Sequence, residues 1–102
     1  MDDMPRPEEC QSMAEVRRGV DATDAQLVAL LEIRFAYMRA AARIKPDKGQ
    51  VRDEGRKAEV IANARAQAQA RGIPADAIAE LWERLVEASI AYEGRHWDAL
   101  RG

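Results

Sequence analysis

The chain has 102 residues, and its 16 Lys plus Arg against 18 Asp plus Glu leave a formal net charge of -2. That length allows one domain, and that balance excludes the positive field by which non-specific nucleic-acid binders gather phosphates. Hydrophobic residues make up 47%, but 20 of them are alanine and only 19 residues are Leu, Ile, Val or Phe, so burial against a second copy is expected.

Pro5 and Pro7 keep residues 1–11 out of regular structure, which reads as an irregular tail before a single helical domain over 12–102. The opening MDDMPRPEEC has no basic stretch followed by an apolar one, so no secretory signal is expected. Cys10 stands alone, which excludes an internal disulfide and a multi-thiolate zinc site and suits a reducing, cytoplasmic compartment. No run approaches the length of a membrane span, and no membrane partner is expected.

Ser12 and Glu15 form an S-x-x-E capping box that starts a helix. Val16, Val20, Thr23, Leu27, Leu30, Tyr37, Ala41 and Ile44 then continue a 4-3 spacing, which predicts one long amphipathic helix over 13–45. Gly19 is its weak point, at a cost of about 1 kcal/mol. Pro46 ends it by disfavouring helical geometry at Lys45.

Asp47, Lys48 and Gly49 read as a polar loop. Asp53 caps a second helix that passes through Val60, Ile61 and alternating alanines to Gly72, a C′ residue. The alanines from Ala58 to Ala70 read as helix formers rather than a recognition surface. Pro74 suits the first turn of a third helix that carries Ile78, Leu81, Trp82, Leu85, Val86, Ser89, Tyr92 and Trp97. No strand pattern or internal repeat appears, so the fold class is all-α with three helices.

The first helix would span about 50 Å, against a radius of gyration of about 13 Å for a compact domain of this size. Two short helices cannot cover both ends of such a rod. An intertwined, antiparallel homodimer with two-fold symmetry is therefore expected.

The missing member of the 4-3 series is position 34, which holds Arg34. A guanidinium in mid-stripe must be paired, either with Glu32 or an acid of the third helix, or with a carboxylate ligand. Lys45 lies on nearly the same face about 16 Å further along, which leaves a gap suited to a small anion. Arg17, about 25 Å before Arg34, cannot reach that gap from its own helix. In an antiparallel dimer, Arg17 of one chain can approach Arg34 of the other. Ser89 and Glu93 share an apolar face with Leu85 and Trp82; the plain reading has the serine bonding its own backbone and the glutamate either solvated or paired with Arg34 or Lys45.

These residues together resemble the all-helical chorismate mutase family, including its isochorismate-pyruvate lyase branch. The likeness runs from Met13 to Trp97 and is carried by Arg17, Val20, Asp21, Asp24, Arg34 and Lys45, by VRDEGR from Val51 to Arg56, and by ASIAYE from Ala88 to Glu93. The resemblance implies rearrangement of chorismate to prephenate without a metal or organic cofactor. Such chemistry needs a folded substrate conformer and positive charge at the breaking ether oxygen. It also implies a small dicarboxylate substrate gripped by Arg34 and by Arg17 of the neighbouring subunit. Lys45 would donate to the ether oxygen and to a carboxylate. Asp53 and Arg56 would sit at the lid near the substrate hydroxyl and a carboxylate, and Ser89 would support a carboxylate.

Glu93 falls where many relatives carry glutamine as a second donor to the ether oxygen. It can donate only while it holds a proton, which an apolar pocket favours and nearby cations oppose. Activity would then fall as pH rises. Lys57 stands where typical mutases place a glutamate that recognises the hydroxyl, and its ammonium would repel an amino-substituted chorismate.

His96, beside Trp97, reads as a packing or helix-end residue ahead of a general acid–base catalyst, and Phe35 and Met38 as core or dimer interface. VRDEGR and Glu93 favour the mutase. PEEC from Pro7 to Cys10 and YMRAAARIK from Tyr37 to Lys45 look more like the lyase branch, which converts isochorismate to salicylate and pyruvate. A non-catalytic helical dimer that binds an anion or a partner protein is the alternative from another class.

Overall fold

The computed structural model describes residues 6–102, so the expectation for Pro5 lies outside the described residues. Pro7–Glu9 make a single 3-10 turn with Pro7 at its start. Three helices follow, α1 (Met13–Ile44), α2 (Glu54–Ala70) and α3 (Ala75–Arg101), with no strand among the described residues. The helix count and the all-α class match the sequence reading. The chain divides into two units, Met1–Arg34 and Phe35–Gly102.

In the first unit, Ser12 Oγ accepts from the Glu15 amide at 3.2 Å, and Glu15 Oε1 accepts from the Gln11 amide at 2.7 Å. The capping box is therefore closed, with its glutamate reaching one residue beyond the N-cap. Thr23 Oγ1 donates to the Gly19 carbonyl at 2.8 Å, one turn back along α1. Val20, Leu27, Val28, Leu30 and Ile33 all stay more than half exposed on the single chain.

In the second unit, the stretch expected as loop winds a 3-10 turn at Lys48–Gln50, capped by Asp47, which accepts from the Gly49 amide at 3.1 Å. Asp53 caps α2 by accepting from the Arg56 amide at 3.0 Å. At the other end of α2, Gly72 takes a φ of 72°. The Gly72 amide donates to Gln69 and the Ile73 amide to Ala68, which is the paired closure of a Schellman turn. Pro74 stands one residue earlier than expected, as the residue preceding α3 rather than its first turn. There its fixed φ fits the extended geometry, and its carbonyl still accepts from the Ile78 amide at 3.1 Å.

The short connection folds α2 back along α3. Arg65 pairs with Asp76 near the turn and Lys57 with Glu83 and Glu87 further away, the order an antiparallel pair requires. Burial in this unit falls on Ala42, Val51, Ala64, Ala68, Ala79 and Val86, with no large side chain fully enclosed. Small residues let helices approach closely but bring little apolar area. Part of the alanine run in α2 is thus a packing face as well as a helix former. No helix among the described residues is long and apolar enough to cross a membrane.

Candidate functional site

The site residues expected from the sequence divide between the two units. Arg17 is exposed and Arg34 half-buried, both on the part of α1 in the first unit. Lys45, Asp53, Arg56, Ser89 and Glu93 belong to the second.

Within the second unit, the end of α1 meets α3. Lys45 Nζ lies 2.7 Å from Glu93 Oε2, and the glutamate side chain is only 5% exposed against 29% for the lysine. The pair is an ion pair by distance. Beyond that contact, no hydrogen-bond partner among the described residues reaches this buried oxygen. Ser89 is buried one turn earlier on α3, and its Oγ donates to the Leu85 carbonyl at 2.7 Å. The backbone bond anticipated for Ser89 and the Lys45 partner anticipated for Glu93 are both present.

Asp53 and Arg56 are joined through the cap of α2, and the Arg56 guanidinium pairs with Glu59 of its own helix at 2.8 Å. Both side chains are exposed. Lys57 follows Arg56 on α2. Its ammonium lies 2.8 Å from Glu83 and 2.6 Å from Glu87, with the lysine side chain 17% exposed. Two carboxylates of α3 therefore pair with its charge. Arg52 joins Glu87 from the other side at 2.8 Å and also pairs with Glu54.

The Arg52 and Lys57 bonds together hold the Glu87 carboxyl down at about 2, well below its ordinary 4.5. Glu83, then Glu87, raises Lys57, and the same acid network raises Arg52, with Glu87 the larger influence. An open cavity of about 580 Å³ on α3 is lined by Glu80, Glu83, Arg84 and Glu87, on the acids of this network.

Several contacts near the site have no counterpart in the sequence reading. Tyr92 receives a hydrogen bond from Arg39 at 2.7 Å and meets Phe35 edge-on at 4.9 Å. His96 stacks on Tyr92 at 6.4 Å, which accords with a packing role. Trp97 Nε1 donates to the Lys45 carbonyl at 3.0 Å, and Arg101 donates to the carbonyls of Lys45 and Ala42 at 2.8 and 3.0 Å. One sequence signal for these bonds was available. Pro46 has no N–H to give the Ala42 carbonyl, so that acceptor needed a donor from elsewhere.

Comparison with known proteins places this geometry in context. A family model described as chorismate mutase type II matches residues 16–94. The chain is also 27% identical over 99 residues to an isochorismate pyruvate lyase of Pseudomonas aeruginosa, a match covering 97% of this chain and 98% of that protein.

Proposed function

The chain belongs to the chorismate mutase type II family, and on that premise we propose that it rearranges chorismate to prephenate. The observation that carries this reading is the Lys45–Glu93 pair, a cation and a carboxyl group 2.7 Å apart at the junction of α1 with α3. In the rearrangement the ether C–O bond breaks as a C–C bond forms within one molecule. No group leaves, and no proton is gained or lost overall. The barrier falls when the substrate is held folded and when a donor meets the negative charge growing on the ether oxygen.

Lys45 supplies that donor and grips a carboxylate. Glu93, while it holds a proton, is the second donor. Arg34 and Ser89 take a carboxylate, and Arg56 and Asp53 close the site over the remaining carboxylate and the hydroxyl. Arg17 completes the site from a second copy in an antiparallel homodimer. The exposed Val20, Leu27, Val28, Leu30 and Ile33 favour such a dimer, because leaving them in water forgoes about 1.5–3 kcal/mol for each fully buried side chain. The whole stretch 12–102 is read as the one catalytic domain.

A second reading, cleavage of isochorismate to salicylate and pyruvate, is favoured by the nearly full-length likeness to a protein named for that reaction. Both reactions use the same cations, so the assay decides. Purified protein and an Arg34→Ala control are given chorismate, and prephenate is followed. Turnover lost in the control supports the mutase. Salicylate and pyruvate from isochorismate, without prephenate from chorismate, replace it with the lyase. Silence on both substrates overturns an enzymatic role and leaves an anion-binding dimer.

A further inference from the structure

We infer that Arg101, acting with Trp97, is a positioning residue for Lys45; the inference rests on the role proposed above for that lysine. In an α-helix each carbonyl is filled by the amide four residues on, and the last turn must find other donors. Here the Lys45 amide fills the Ala41 carbonyl at 2.9 Å. The next bond would run to Ala42 from residue 46, but Pro46 has no hydrogen to give.

Arg101 supplies the missing donor. One guanidinium nitrogen lies 3.0 Å from the Ala42 oxygen and the other 2.8 Å from the Lys45 oxygen. Trp97 Nε1 adds a second bond to the Lys45 oxygen at 3.0 Å, and the guanidinium lies over the Trp97 ring, 4.2 Å from its centre. The planar fork spans two carbonyls at once, and its charge suits the negative end of α1.

The spacing turns this cap into a positioning device. Glu93, Trp97 and Arg101 stand four residues apart along one face of α3. That single stripe grips Lys45 at its ammonium through Glu93 and at its carbonyl through Trp97 and Arg101. The lysine is therefore anchored at both ends of its reach, with its own amide held by Ala41. A flexible four-carbon stem delivers its ammonium accurately only from a fixed Cα.

The test compares wild type, Arg101→Ala, Arg101→Lys and Trp97→Phe. The chain has three lysines, Lys45, Lys48 and Lys57, so reductive methylation read by mass spectrometry can follow Lys45 with Lys57 as reference. In Arg101→Ala, kcat should fall about tenfold or more while KM moves less than about threefold, because the lost precision acts at the transition state. Lys45 methylation should rise against Lys57. Arg101→Lys restores the charge but not the fork, and should recover part of the loss. A folded Arg101→Ala with wild-type kcat and wild-type Lys45 labelling would overturn the assignment, as would a loss that only tracks the unfolded fraction. Should the alanine variant not fold, Trp97→Phe carries the same test, since it removes one donor to the Lys45 carbonyl and keeps the ring. If wild type turns over neither substrate, the functional reading fails, and the Lys45 labelling still decides the positioning.

Discussion

Replacing Asp53 with alanine, asparagine and serine separates two roles that the sequence assigns to one side chain. In the structure, Asp53 accepts from the Arg56 amide at 3.0 Å and so fills one of the four unbonded amides at the start of α2. Alanine leaves that amide to water. The cap is worth about 1 kcal/mol, a factor of about five in the folding equilibrium. For a chain of about 100 residues this lowers Tm by roughly 4–8 °C. Asparagine and serine cap almost as well as aspartate, so their Tm should stay within about 2 °C of wild type. Thermal unfolding followed by far-ultraviolet circular dichroism at one fixed protein concentration reads this, since dimerisation would make Tm depend on concentration.

The same three variants then report on substrate. A carboxylate that accepts from the substrate hydroxyl is lost in asparagine without loss of the cap, so Asp53→Asn should raise KM while Tm holds. The cap argument fails if asparagine costs as much stability as alanine, or if alanine costs none. The substrate role fails if kcat and KM of the asparagine variant equal those of wild type.

The Glu87 carboxyl sits at about 2 in the fold against an ordinary 4.5, so it stabilises the chain above about pH 5 and loses that contribution as pH falls toward 2. Glu87→Gln should therefore flatten the acid limb of a plot of stability against pH in that window, with no added loss on the alkaline side before Lys57 titrates. Gly72→Ala should cost about 1–2 kcal/mol in urea denaturation, because φ is 72° there. Open space surrounds the added methyl group, so strain in the backbone, not a clash, sets the loss. Glu93→Gln supplies an N–H donor at every pH. Its mutase rate should equal or exceed that of wild type, by up to about a hundredfold. A rate well below that of wild type would remove the protonated Glu93 from the mechanism.

The ends of the helices were legible because local chemistry sets them. Ser12 with Glu15, Pro46, Asp53 and Gly72 each act on backbone groups within a few residues, and each performs the expected function in the structure. Pro74 shows the limit of such reading, since its fixed φ suits both the first helical position and the one before it. Of the proposed site, the pairing of Lys45 with Glu93 was legible in part. Lys45 and Glu93 were candidates from spacing and resemblance, and pairing with Lys45 was one outcome open to Glu93 beside pairing with Arg34 or exposure to solvent.

What composition and periodicity determined by themselves was the all-α class, three helices, and an apolar surface too large for so thin a core. Tertiary structure alone decided which helix faces meet and at what register. Helical spacing tells that Glu83 and Glu87 share a face of α3, but only the antiparallel docking of α2 brings Lys57 and Arg52 onto it. The same holds for Arg101, which is 55 residues beyond Pro46 in sequence and fills a bond that Pro46 cannot make. Local patterns arise from forces acting within a turn or two of chain, whereas such partners are chosen by the closing of long loops, whose energetics no short window of sequence contains.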